Sequence, residues 1–287
     1  MIIVKIIGGL GNQMFQYAYA KALENKGLEV KIDISAFETY KLHGGYQLDK
    51  YTIDLDVTTK DENDKFYSNS NVLKILKKFR IDFSKKIIEK NLLFDNDLLS
   101  VKYDSYIEGY FQCEDYFSSM RDELIKDFTI KNELSQYSKK IENQILNKDV
   151  SASLHIRRGD YISDEKSNNI HGACSLDYYN KAIELMNSKF ASISFYIFSD
   201  DINWAKKNLD INNAIYIDSE EKRIPHEDIY LMSLCSHNII ANSSFSWWGA
   251  WLNQNDNKFV IAPVRWFADN KLEKQSKNIV CRSWVKL

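Results

Sequence analysis

From Val150 to the C-terminus, short apolar runs alternate with helix-length segments, and this alternation restricts the fold more than any other feature of the chain. Strand candidates fall at 150–156, 193–199, 214–218, 238–241 and 258–262, with helix candidates at 175–188, 201–208, 226–236 and 244–254 between them. Strands joined this way form a parallel sheet, because each parallel partner needs a crossover connection, and those crossovers are right-handed. The chain opens with the same pattern. Residues 2–7 are a β-branched run suited to a strand buried on both faces. Gly8-Gly9-Leu10-Gly11 breaks it, and a helix follows from about Asn12, with Phe15, Ala18, Tyr19 and Ala22 on one face. Gly27 is a C-terminal stop, and 28–33 read as a second strand. The expected class is α/β, with two Rossmann-like domains, 1–149 and 150–287, facing a cleft and the last helix able to pack back on the first domain.

Composition removes several alternatives. The 287 residues carry 38 Lys+Arg against 40 Asp+Glu, so the basic excess that phosphate-backbone binding needs is missing and no nucleic-acid partner is expected. No apolar run reaches the roughly 18 residues of a membrane span. Cys113, Cys174, Cys235 and Cys281 form no CxxC pair and suggest neither a disulfide framework nor zinc, which fits a cytoplasmic protein. Between 34 and 100 the pattern loosens; 103–113 reads as a strand, and 114–127 and 132–147 as helices. A basic stretch at 72–90 is expected to be a solvated surface helix, with peripheral attachment to an anionic membrane, at its inner face, as the alternative. The 13% aromatic content suits either a core or sugar-stacking surfaces.

Four segments carry chemistry. The turn at Gly8–Gly11 with Asn12 and Gln13 leaves room for a ligand beside exposed N–H groups. It is not a dinucleotide fingerprint, whose third glycine would fall at Met14. His155-Ile156-Arg157-Arg158-Gly159-Asp160-Tyr161 lies at a strand's C-terminal end, where parallel sheets bind ligands. Two adjacent arginines there need an anionic partner; one is expected to face phosphates and the other to pair with Asp160 or another carboxylate. Asn242-Ser243-Ser244-Phe245 opens a helix whose N–H groups attract phosphate, although a simple cap on a core helix explains it as well. Asp200 and Asp201 follow a strand and suit ribose or guanine, or cap the next helix. The Asp-x-Asp segments, Asp54-Leu55-Asp56 and Asp95-Asn96-Asp97, lie outside the regular α/β region, and no metal is expected.

In order, these blocks resemble glycosyltransferase family 11: Gly8-Gly9-Leu10-Gly11-Asn12-Gln13-Met14-Phe15-Gln16-Tyr17-Ala18, then His155 to Tyr161, then the segment from Asn242 through Trp247-Trp248-Gly249-Ala250-Trp251. Gly109-Tyr110-Phe111-Gln112, His171-Gly172 and Phe198-Ser199-Asp200-Asp201 add weaker matches. The resemblance implies a GT-B-like fold and inverting, metal-free transfer of L-fucose from GDP-β-L-fucose to the 2-hydroxyl of a terminal β-galactoside. The N-terminal domain would take the acceptor side and the C-terminal domain GDP-fucose. It implies that Arg157 binds the β-phosphate and that Gly11, Asn12 and Gln13 lie near the fucose and pyrophosphate. His155 is a further donor to the leaving group; Arg158, Asp200, Asp201, Asn242, Ser243, Ser244 and Phe245 complete the donor site. The base that takes the acceptor proton is open among Asp160, Glu165, His171 and His155, with Asp160 favoured. Competing readings are an α-1,6- or O-fucosyltransferase and a non-enzymatic galactoside-binding protein.

Overall fold

The computed structural model describes residues 1–40, 42–67, 85–102, 104–218 and 224–287. The chain divides into two compact units, Met1–Lys131 and Asn132–Leu287. The division precedes the expected 149/150 boundary because the helix Gln136–Leu146 packs on the helix Pro225–Leu234 of the second unit. There the Tyr230 hydroxyl donates to Glu142 (2.6 Å), and buried Glu227 accepts from the Ser135 N–H (2.8 Å) and hydroxyl (2.7 Å).

The first unit holds a four-stranded parallel sheet in the order β2-β1-β4-β3, with β1 Ile2–Lys5, β2 Val30–Asp33, β3 Lys85–Ile88 and β4 Ser105–Glu108. The helix α1, Leu10–Glu24, leaves β1 through the glycine turn and buries most of its length, which explains a helix apolar on more than one face. Gln16 ties the turn together: its Oε1 accepts from the Ile7 N–H (2.9 Å), and its Nε2 donates to the Gly109 carbonyl (2.9 Å). Of the stretch expected to be a basic helix at 72–90, residues 72–84 lie outside the described set, and Lys85–Ile88 is the strand β3 instead. Its lysines suit an edge strand, and Lys86 pairs with Glu108 on β4 at 3.0 Å.

The second unit holds a six-stranded parallel sheet, β10-β9-β8-β5-β6-β7, built from β5 Ser151–Ile156, β6 Ser194–Ser199, β7 Ala214–Tyr216, β8 His237–Ile239, β9 Val260–Ala262 and β10 Val285–Lys286. Numbered within the unit and read from β7, this is the 3-2-1-4-5-6 order of doubly wound nucleotide-binding sheets. β5 and β6 are buried at every position, as their apolar runs require. Leu154, Ile156, Phe195 and Ile197 belong to one core cluster with Tyr179, Ile183 and Met186 of the helix Leu176–Lys189. The final helix, Asn270–Gln275, belongs to the second unit. Glu273 holds it there by accepting from the Trp266 and Phe267 N–H groups, at 2.9 and 2.8 Å.

The helix Ser244–Leu252 settles part of the aromatic question. Trp247 and Trp248 are fully buried, and the Trp247 indole donates to the Ile279 carbonyl at 2.7 Å, so these rings are core rather than sugar platforms. Gly249 lets this helix approach its neighbour: a Cβ there would lie 2.8 Å from the Met232 Cβ. Gly249→Ala is therefore expected to destabilise the unit by about 1–3 kcal/mol through overpacking. In thermal denaturation this should appear as a melting temperature lower by roughly 3–10 °C.

Candidate functional site

In an open parallel sheet, ligands bind beyond the strand C-termini where the strand order reverses. In the second unit that point lies between β5 and β8, and both arginines emerge beside it. After Ile156 the chain turns into a short helix, Gly159–Ser163, and the turn is fastened to the end of β6. Asp200 accepts from the Arg158 backbone N–H (2.8 Å), and its other oxygen lies 3.0 Å from the Arg157 guanidinium. Asp201 accepts from Arg158 Nε (3.3 Å) while capping the helix Ile202–Asn208 by accepting from the Trp204 N–H (3.1 Å). Gly159 leaves room for this contact: a Cβ there would sit 2.8 Å from Asp200 Oδ2, so the carboxylate would have to shift.

The arginines therefore pair with Asp200 and Asp201, from the neighbouring strand. Their surroundings differ. The Arg158 guanidinium lies 4.1 Å over the Trp204 ring and is 19% exposed, held by stacking and by Asp201. Arg157 is 28% exposed and lies 5.5 Å from the Tyr161 ring centre. Tyr161 in turn stacks on His171 (4.8 Å, 5° between planes) and donates to the Asn242 carbonyl at 3.4 Å. Arg157, Tyr161 and His171 thus form a column along the strand ends. Sequence reasoning missed Tyr161 and Trp204, although the signals were available: Tyr161 ends the arginine block, and Trp204 sits three positions past a capping aspartate.

Across the switch point, Asn242 is 4% exposed and committed to the protein. Its Nδ2 lies within hydrogen-bond distance of the carbonyls of His171 (3.1 Å), Gly172 (2.8 Å) and Trp266 (3.0 Å), and its Oδ1 accepts from the Cys174 thiol at 3.3 Å. Ser243 caps the helix Ser244–Leu252 by accepting from the Phe245 N–H (3.3 Å), leaving Ser244 and Phe245 partly exposed at its start. His155 is 5% exposed, its ring 5.5 Å from that of Phe245. Glu165 is exposed in the first turn of the helix Glu165–Ile170. The Asp160 side chain lies outside the described set.

The first unit has its own reversal, between β1 and β4, flanked by the glycine turn and the segment 109–112. Gly8 has φ 89°. Gly11 is buried, and Asn12 is half-buried with its Oδ1 accepting from Gln112 Nε2 at 2.8 Å. Gln13 points inward and is fully buried; its Nε2 donates to the carbonyls of Gly8 (2.9 Å) and Gly45 (2.8 Å), and its Oε1 accepts from the Gln47 N–H (2.9 Å). It braces the loop rather than presenting an amide to solvent. Asp54 is likewise engaged, with the Tyr17 hydroxyl at 3.0 Å and Lys21 at 2.9 Å. Among the described residues, no group of three or more His, Cys, Asp or Glu side chains is placed to hold a metal.

The family model described as Glycosyl transferase family 11 matches residues 1–287. An alpha-1,2-colitosyltransferase of Escherichia coli is 35% identical over 294 aligned residues, which cover 100% of this chain and 99% of that protein. The O-antigen biosynthesis glycosyltransferase WbnK of Escherichia coli is 33% identical, with 98% of each chain covered. The crystal structure of fucosyltransferase NodZ from Bradyrhizobium superposes with a TM-score of 0.50 at 11% identity, covering 86% of this chain and 91% of that one. This last likeness is one of fold, and it supports the GT-B-like α/β class expected from the sequence.

Proposed function

The chain belongs to glycosyltransferase family 11, and from that premise we propose that it transfers L-fucose, with inversion, from GDP-β-L-fucose to the 2-hydroxyl of a terminal β-galactoside. The observation that carries this reading is the arginine pair at the switch point of a nucleotide-binding sheet, balanced by Asp200 and Asp201. Breaking the fucosyl C1–O bond leaves negative charge on the β-phosphate. A fixed cation and N–H donors aimed at that oxygen stabilise the charge as it develops, without reorganising at the moment of reaction.

Arg157, the more exposed of the two, is the group that meets the phosphate; Arg158 holds the turn through Trp204 and Asp201. The start of the helix Ser244–Leu252 adds N–H donors and the positive end of its dipole. His155, buried against Phe245, forms the back wall of the site. Asp160 takes the proton of the acceptor hydroxyl, and in an oxocarbenium-like transition state that transfer comes late. The arginines supply the charge that a divalent cation would otherwise bring, so GDP release is expected to continue at an undiminished rate in excess EDTA.

Asp200 pairs with the guanidinium of Arg157 at 3.0 Å and so competes with a phosphate for it. Asp200→Asn keeps an oxygen for the Arg158 N–H but removes the competing charge. GDP is then expected to bind roughly fivefold more tightly, about 1 kcal/mol, as read by calorimetry. Weaker GDP binding in this variant would mean that Asp200 orients Arg157 rather than competing for it.

A second donor is favoured by the full-length relative whose name is alpha-1,2-colitosyltransferase. Colitose is fucose without its 3-hydroxyl, so both sugars fit the same chemistry at C1. Offering GDP-fucose and GDP-colitose in turn with lactose, and comparing kcat/KM for GDP release, decides between them. Fucose as the natural donor requires the higher value.

A further inference from the structure

Two loops at the strand-end reversal of the first unit are held in costly backbone conformations. His43 (φ 55°) and Phe111 (φ 51°) are both left-handed non-glycine residues. Such conformations persist only where surrounding contacts fix them, and they concentrate at functional sites. The contacts are present here. Gln13 grips the Gly45 carbonyl and the Gln47 N–H, and Gln47 Nε2 donates to the His43 carbonyl at 2.7 Å. On the other loop, the Glu89 carboxylate accepts from the Tyr110 N–H (2.7 Å) and the Phe111 N–H (3.2 Å).

These two clamps present His43 and Tyr110 outward. His43 is exposed, and its Cβ lies 3.5 Å from where a Cβ on Gly9 would be, so the imidazole stands beside the glycine turn. Tyr110 is 44% exposed just past the end of β4, two positions before Gln112. Both loops flank the same glycine turn: His43 packs beside Gly9, and Asn12 of that turn accepts from Gln112, two positions past Tyr110. An exposed phenol ring and an exposed imidazole, held on either side of one turn, suit a pyranoside. The ring stacks on a face of C–H groups while the polar groups take hydroxyls. A β-galactoside offers such a face, because its axial 4-hydroxyl leaves the C–H groups of C3, C4 and C5 together on one side.

We infer that Tyr110 and His43 are the acceptor-recognition residues of the first unit, stacking and hydrogen-bonding a terminal β-galactoside at the β1/β4 strand ends. This rests on the transferase reading above, so the test separates the two. His43→Gly suits the left-handed backbone and removes only the imidazole; Tyr110→Ala removes an exposed ring. With GDP-fucose and lactose, each variant is expected to raise the lactose KM at least roughly tenfold, while the donor KM stays within about twofold and melting is native-like. Unchanged lactose KM in both variants would overturn the assignment. If the wild-type protein releases no GDP from GDP-fucose, the transferase reading fails by itself. Saturation-transfer NMR with methyl β-galactoside then decides the site: binding by wild type that is lost in Tyr110→Ala supports it, whereas equal binding, or none by wild type, overturns it.

Discussion

Arg157→Ala is expected to lower turnover at least about 100-fold, the scale of losing one preorganised donor to a developing oxyanion. The loss should fall on kcat and on kcat/KM alike, because the phosphate carries its extra charge only as the bond breaks. Stability should change little: Arg157 is a partly exposed partner of Asp200, and Asp200 keeps its bond to the Arg158 N–H without it. Arg157→Lys should recover part of the rate, since it restores charge but not the guanidinium fork. Steady-state kinetics beside a melting curve makes the check. A near-normal rate in a folded alanine variant would remove Arg157 from the mechanism.

Asn242→Ala is expected to act the other way, through the fold. The side chain is buried, its Nδ2 faces three carbonyls, and its Oδ1 holds the Cys174 thiol. Those carbonyls belong to the loop at His171–Gly172 and to Trp266, so one amide joins the end of β8 to two neighbouring segments. Removing it takes the amide donor from the Gly172 and Trp266 carbonyls, while the His171 carbonyl keeps the Ala268 N–H, and should cost about 2–4 kcal/mol, a melting temperature lower by roughly 5–15 °C. Asn242→Asp should be at least as damaging, because a carboxylate would face carbonyl oxygens. If Asn242 served only the donor sugar, both variants would melt like wild type and lose activity alone.

The doubly wound second unit is legible in the sequence because its central strands are buried on both faces and therefore appear as apolar runs. β3 escaped because edge strands carry charge: Lys85-Lys86 reads as part of a basic helix, whereas Lys86 pairs with Glu108 across the sheet. The arginine block could be located, but its partners could not. Asp200 meets Arg157 because β5 and β6 pair with Ile156 opposite Ser199, a register that no local pattern contains. Gln13 and Asn242 show the same limit. Each is a polar residue in a motif block, and only the fold reveals that both amides turn inward to brace loops. His43 lies in weakly patterned sequence and is marked out by its backbone φ, whereas Tyr110 lies in a block matched only weakly and is marked out by its exposure.

One measurement bears most directly on the proposal: incubation with GDP-fucose and lactose, with and without EDTA, following GDP release and determining the linkage of the product by NMR. The expected result is lactose-dependent GDP release in both conditions, with fucose joined α-1,2 to galactose. GDP release no faster than donor hydrolysis across several galactosides, or a product linked elsewhere, would contradict it.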